Sequence, residues 1–438
     1  MAMSNCFRDF IKYSSLNVMG MIGLSCYILA DTFFVSKGLG ADGLTALNLA
    51  IPIYNFIHGT GLMIGMGGGT KYSIQTSLGD RSSANRTFTH ACFLAAISAV
   101  FFVLIGIFFS GSIVAAFGAE GKVFEMSQTY LRVILLFSPA FLMNNLLLCF
   151  IRNDGAPQLA MAAMITGSLS NVVLDWVFIF PCQMGIFGAV FATGLAPLIS
   201  MAVLSSHFIR KKHQFSLSLC RPQKKVLTGI LSSGIPSLVT ELSSGIVIII
   251  FNAIILNLEG NTGVAAYGVI ANLSLVVISI YTGIAQGIQP IVSTNYGVNN
   301  TANIKAILRY ALVTMAVLSA AVYITVLLDT DQIAGIFNSE GNAVLQLIAT
   351  EGLRLYFIGC PFAGFNIILS MYFTACDHPL PAHIISLLRG FFVIIPMAFL
   401  LSRAWDILGV WCSFPATEFL VAVLAMWFLS SFQRKVLT

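Results

Sequence analysis

Apolar runs, each about as long as a bilayer-crossing helix, follow one another along the chain with short polar breaks between them. A helix needs about 20 mostly apolar residues to cross the hydrocarbon core. That measure predicts twelve spans: 14–36, 46–72, 90–116, 127–151, 159–180 and 186–209, then 229–257, 264–292, 306–328, 345–374, 383–402 and 408–431. The longest polar stretch begins at Arg210 and separates six spans from six. The expected fold class is therefore an all-α integral membrane protein. An N-lobe at 1–209 and a C-lobe at 229–438 are joined by a linker at 210–228.

The two halves read as copies. GADGLTAL (40–47) aligns with GNTGVAAY (260–267), TSLGDRSSAN (76–85) with TNYGVNNTAN (294–303), and AFGAEG (116–121) with IFNSEG (336–341). Arg132, Pro139, Asn144 and Pro157 align with Arg354, Pro361, Asn366 and Pro379. Six spans per copy make the copies enter a membrane in the same direction. Parallel six-helix repeats are a transporter architecture, with the substrate site expected near mid-bilayer where the halves meet.

Composition supports a polytopic membrane protein. Of 438 residues, 58% are hydrophobic and 9% charged, against about 25% charged in soluble domains; the mean hydropathy is +0.90. Arg81, Arg86, Arg152, the 210–225 cluster, Lys305, Arg309 and both chain ends form one set of polar breaks. Glu120, Glu125, Glu259, Asp329, Asp331 and Glu340 form the alternate set. The positive-inside rule then places both termini and the linker in the cytoplasm. The first apolar run follows Arg8, Asp9 and Lys12 without a cleavage pattern, so it is expected to be a permanent span. The net charge of +5 gives no reason to expect a nucleic-acid partner. The nine cysteines form no CxxC pair, so neither a disulfide framework nor a soft-metal site is expected. The six histidines fall at span ends and in loops without metal or nucleophile spacing, which argues against an enzyme.

The candidate chemistry is what remains polar inside the spans. Asp31 sits within IGLSCYILADTFFVSK (22–37), where a charge costs roughly 2.5–3.5 kcal/mol even on a lenient scale. Asp175 follows Asn171 by four residues, on one helical face, and Thr193 lies in the next span. Together they make an oxygen-rich cluster suited to a hard cation. Low-dielectric surroundings disfavour a charged carboxyl, which also suits a proton carrier. The second half is an internal control: Phe251 stands where Asp31 does, and VIIPM (393–397) where Asp175 does. Asn144 and Asn145 in span four are candidates for a substrate cavity. So are Glu241, Gln286 and Arg389, each with a competing role as a helix bridge, a partner for freed backbone or an ion-pair member. Arg389 aligns near Asn171 in the repeat, and Glu418 is its candidate partner.

DTFFVSKGLGADGLTALNLAIP (31–52), IRNDGAPQLAM (151–161), NVVLDWVFIF (171–180) and GIAQGIQPIVSTNYG (283–297) resemble segments of the multidrug and toxic compound extrusion (MATE) transporters. The resemblance is to their bacterial DinF-like branch and runs from the first span to the last. It implies a twelve-helix, two-lobed (MATE/MOP-type) antiporter of the bacterial inner membrane. Such an antiporter exchanges H⁺ or Na⁺ for organic, commonly cationic or amphipathic drugs, with no cofactor besides the coupling ion. By this resemblance Asp31, Asn171, Asp175 and Thr193 match the family's N-lobe cation site, able to hold Na⁺, and Tyr130 matches a neighbouring tyrosine. Some branches use a glutamate in the seventh span, but the spacing of Glu241 from Pro236 departs from that pattern. The expected partners are small organic substrates and the lipid bilayer, with the protein a monomer. The alternative within the same superfamily is a flippase for lipid-linked precursors.

Overall fold

The structure is a computed structural model. It describes residues 2–338 and 341–436, so Glu340, among the charges read above, lies outside the described residues. The described chain is helical almost throughout and contains no strand. In order the helices are α1 (Ala2–Ser77), α2 (Arg81–Phe108), α3 (Ser110–Ala116), α4 (Gly121–Leu136), α5 (Ser138–Asn153), α6 (Pro157–Ile179) and α7 (Gly185–Ile209). Then follow α8 (Lys224–Gly297), α9 (Thr301–Leu328), α10 (Thr330–Phe337), α11 (Ala343–Tyr356), α12 (Cys360–Ala375), α13 (Pro379–Leu387) and α14 (Ile394–Val436).

Three of these run on without a loop where the sequence pattern predicts one. A straight helix of 76 residues would be about 110 Å long at 1.5 Å per residue, far beyond the ~30 Å apolar core. The chain solves this with sharp breaks. Gly40 (φ 67, ψ −159) divides α1, Gly260 (φ 62, ψ −155) divides α8, and Trp405 and Asp406 divide α14. The two glycine conformations lie in a region essentially closed to side-chain-bearing residues. By length and composition eight described helical runs, with α11–α12 and α13–α14 each taken as continuous, can cross a membrane, or nine when α4 and α5, bent by 48°, count as one. Three of them are long enough to cross twice, which is compatible with twelve spans. The α4–α5 bend falls where Pro139 opens α5, and Pro361 opens α12 in the same way. A proline has no N–H to offer the preceding turn.

The repeat is visible in backbone geometry. Asp80 caps α2 by accepting from Ser83 N at 2.9 Å, and Asn300 caps α9 by accepting from Asn303 N at 3.2 Å. Gly79 and Asn299 ahead of these caps both have positive φ (77 and 55). These pairs hold the offset at 220 residues, so the TSLG/TNYG alignment is two residues out of register. Pro157 and Pro379 open α6 and α13 at an offset of 222. That places Val393, not Arg389, opposite Asn171.

By packing, the chain forms two compact units. One comprises Ser15–Leu242 with Ser293–Asn299, and the other Met1–Ser14, Ser243–Val292 and Asn300–Thr438. In the first unit α1 and the start of α8 cross closely: a Cβ on Gly67 would run into the Ile230 carbonyl, and one on Gly234 into the Met63 carbonyl. Arg152, expected in a loop, is instead buried in the last turn of α5. Its Nη1 donates to Asn17 Oδ1 at 2.7 Å.

Residues 211–223 form no helix, yet they are bound to this unit. The backbone N–H groups of Gln214, Ser216, Ser218 and Gln223 donate to Asp154 Oδ2, Asn85 Oδ1, Thr89 Oγ1 and His90 Nε2 at 2.9–3.0 Å. Phe215 is fully buried against Tyr72, Phe88, Phe150 and Phe208.

Candidate functional site

The N-terminal unit gathers its intramembrane oxygens at one place. Asp31 projects from α1, Tyr130 from α4, Asn171 and Asp175 from α6, and Thr193 from α7. All five are buried, with Asp175 and Asn171 at 0% exposure. Asp175 lies one helical turn after Asn171, so both reach the same side of α6. The Asn171 amide, in the orientation that satisfies both its ends, donates to Asp175 Oδ2 at 3.0 Å and accepts from Thr193 N at 3.2 Å. Thr193 Oγ1 donates to the Ala189 carbonyl at 3.1 Å and lies beside Tyr130.

Asp31 and Asp175 lie close enough for one carboxyl to bear on the other. An ionised carboxylate only accepts, so a hydrogen bond between them requires that one carry a proton. No described donor reaches the Oδ1 atom of either. Buried oxygens without partners are costly. They fit a bound proton or a hard cation, for which oxygen donors are the appropriate set. Sequence reasoning named all five residues, and the structure brings them together.

It missed Tyr27, Tyr54 and His58, which continue the cluster towards the named candidates Asn145 and Glu241. Tyr27 Oη and Tyr54 Oη are hydrogen-bonded at 2.9 Å, and Tyr27 lies four residues before Asp31 on the same helix. The Tyr54 ring stacks on His58 with centroids 5.8 Å apart. Asn145 Nδ2 lies 3.2 Å from His58 Nδ1 and donates to the His58 carbonyl at 3.3 Å. The Glu241 charge faces His58, and its stem lies against Gly59, where an added Cβ would come within 2.9 Å of Glu241 Cβ. Polar side chains thus run from the carboxyl pair past two tyrosines to an imidazole and a third carboxyl. The i, i+4 spacings Tyr27/Asp31 and Tyr54/His58 were the available signal. Asn144 is half-buried, with a buried Oδ1 that has no hydrogen-bond partner.

The remaining candidates belong to the other unit. Gln286 is buried in α8 beside Gly287, where an added Cβ would approach Ser14 Cα to 2.7 Å. Arg389 lies on a π-helical turn, Leu388–Phe392. Its Nε and Nη2 donate to Glu418 Oε1 at 3.1 and 2.8 Å, and Asn366 Nδ2 donates to Glu418 Oε2 at 2.7 Å. The partner expected from the sequence is the one observed.

The sequence profile of the MatE family matches residues 18–177 and 236–400. The chain belongs to the MATE family. Its members are membrane transporters rather than enzymes, in keeping with the all-helical, multi-span architecture. The chain is 25% identical over 425 residues to the multidrug export protein MepA of Staphylococcus saprophyticus, covering 97% of this chain and 93% of that one. It is 24% identical over 429 residues to MepA of Staphylococcus aureus strain MRSA252. Its fold matches, with a TM-score of 0.91 and 23% identity, a structure described as an outward-facing multidrug resistance MATE transporter of the MOP superfamily. That match covers 98% of this chain and 96% of the other.

Proposed function

We propose that this MATE protein is a secondary antiporter of the bacterial inner membrane. It exports organic, cationic or amphipathic compounds in exchange for H⁺ or Na⁺ by alternating access, with both termini cytoplasmic. The observation that carries the coupling role is the Asp31–Asp175 carboxyl pair, buried side by side with no described donor to the Oδ1 of either. The export role is supported by relatives named multidrug export proteins along nearly their whole length. A flippase for lipid-linked precursors is not favoured by those relatives.

In this reading the outward-facing state takes up the ion at the pair. Neutralising it alters the packing of the first half of α1 around Asp31 and lowers affinity for a cationic substrate. The protein then turns inward, releases the ion and binds the next substrate. Asn171 and Thr193 orient Asp175, and Tyr130 closes the pocket beside Thr193.

The test is dye efflux from proteoliposomes with pH and Na⁺ gradients imposed separately. Wild-type protein is expected to respond to one gradient or both. Asp31→Asn, at equal abundance, is expected to lose efflux at least ~100-fold, the scale of a lost proton-transfer group. Full efflux by Asp31→Asn would overturn the proposal.

A further inference from the structure

A cavity in the N-terminal unit is lined by none of the residues of the carboxyl cluster. It measures about 340 Å³ and is lined by the end of α1, the first turns of α2, the last residue before α8 and the first turn of α8. Three cations line it, Lys71, Arg86 and Lys225, and no carboxylate does. Like charges drawn to one cavity repel one another unless an anion joins them. Arg86 Nη2 donates to Ser83 Oγ at 2.8 Å, one of the five donors a guanidinium carries. Thr87 Oγ1 donates to Gln75 Oε1 at 2.7 Å, which leaves the Gln75 amide nitrogen as the donating end. The α8 helix begins at this cavity without a side-chain cap, so the positive end of a long helix adds to the field. Asp80, outside the lining, is exposed, caps α2 and bears on Arg86 from the solvent side, leaving the cavity itself without a carboxylate.

We propose that this cavity binds a phosphate group, carried by an anionic lipid headgroup or by a soluble phosphate. Its volume falls at the small end of ligand pockets, about 300–1,000 Å³, enough for a phosphate and the first atoms of its ester. Basic pockets between membrane helices on the side richer in Lys and Arg are where such headgroups bind. A phosphate here ties α1, α2 and α8 together at the point where the 211–223 segment ends. The proposal stands apart from the coupling role of Asp31, and its test uses no transport readout.

The experiment follows the thermal-unfolding midpoint of the full chain in neutral detergent. Four additions are compared: phosphatidylglycerol, phosphatidylcholine, inorganic phosphate, and chloride at matched ionic strength. A ligand that binds only the folded state raises the midpoint with concentration. A rise with phosphatidylglycerol but not phosphatidylcholine identifies a headgroup, and a rise with phosphate over chloride identifies a soluble anion. In Arg86→Gln/Lys225→Gln the half-saturating concentration of the effective probe is expected to rise at least ~10-fold, for the loss of two charge-assisted contacts. The control Lys122→Gln/Arg403→Gln, two exposed residues elsewhere, is expected to behave as wild type. Should the double variant fold poorly, Lys225→Glu, on an exposed position, is expected to show the same loss. No midpoint rise with either anion, or equal responses in wild type and both cavity variants, overturns the proposal.

Discussion

Glu418 shows what a settled buried charge looks like in this protein. It is 3% exposed, and it receives two donors from Arg389 and one from Asn366. Removing one member of such a pair leaves the other's charge buried, which costs about 3–5 kcal/mol, whereas replacing both with apolar residues of similar size is often neutral. Glu418→Gln is therefore expected to lower the unfolding midpoint sharply, and Arg389→Met/Glu418→Met to recover most of it. Equal midpoints for the single and double variants would contradict this. The Asp31–Asp175 pair is the opposite case: no cation side chain faces it among the hydrogen bonds described, and no described donor reaches the Oδ1 of either acid. Both pairs were legible in the sequence because a charge in an apolar run stands out, and the four-residue step from Asn171 to Asp175 fixes a face. Tyr27, Tyr54 and His58 were not, because an uncharged tyrosine or histidine does not stand out from an apolar run as a carboxylate does.

The segment 211–223 is where sequence reading fell shortest. Its polar composition predicts a linker, and its composition cannot reveal that its N–H groups find acceptors on α2 and α5. Those partners lie 60 to 133 residues away in the chain. Alternate residues 214, 216 and 218 donate, as in an extended strand whose pairing edge is made of side chains. Asp154 anchors the start: it accepts from Gln214 N and from His207 Nε2 at 2.8 Å, and from the Tyr72 hydroxyl. The apolar anchor is Phe215. Phe215→Ala is expected to cost about 3–5 kcal/mol locally, releasing the segment while the helices persist. Hydrogen exchange checks this. Amides of Gln214, Ser216 and Ser218 are expected to exchange slowly in wild type and at least ~100-fold faster in the variant, as the open state becomes populated. Slow exchange in both proteins would mean that the side-chain acceptors alone hold the segment.

The duplication explains both how much of the architecture the sequence exposed and why the candidate site occupies only one copy. Matching breaks at Gly40 and Gly260 share a backbone conformation to within a few degrees, and α2 and α9 have the same length of 28 residues. Glycine marked the 40 and 260 breaks because a residue without Cβ takes that conformation without strain. The register error at TSLG/TNYG arose because the two capping loops share a rule, a short polar acceptor, rather than a sequence. Within this shared frame the copies have diverged in their interiors. Opposite Asp31 stands Phe251, 1% exposed and edge-on to Tyr267 at 5.5 Å. Opposite the Asn171–Asp175 turn stands VIIPM. An acid placed at 251 would therefore meet neither a second carboxyl nor the amide and hydroxyl that hold Asp175. Coupling that depends on the pair, rather than on one acid anywhere in the repeat, cannot be moved by a single exchange. Asp31→Asn/Phe251→Asp is accordingly expected to be as inactive in dye efflux as Asp31→Asn alone. It is also expected to be less stable, since a buried aromatic ring is lost and an unpaired carboxyl takes its place. Recovery of more than about a tenth of wild-type efflux, far above the residual activity expected when a proton-transfer group is lost, would show that one acid in either copy suffices. The asymmetry of the halves would then not be what localises the ion.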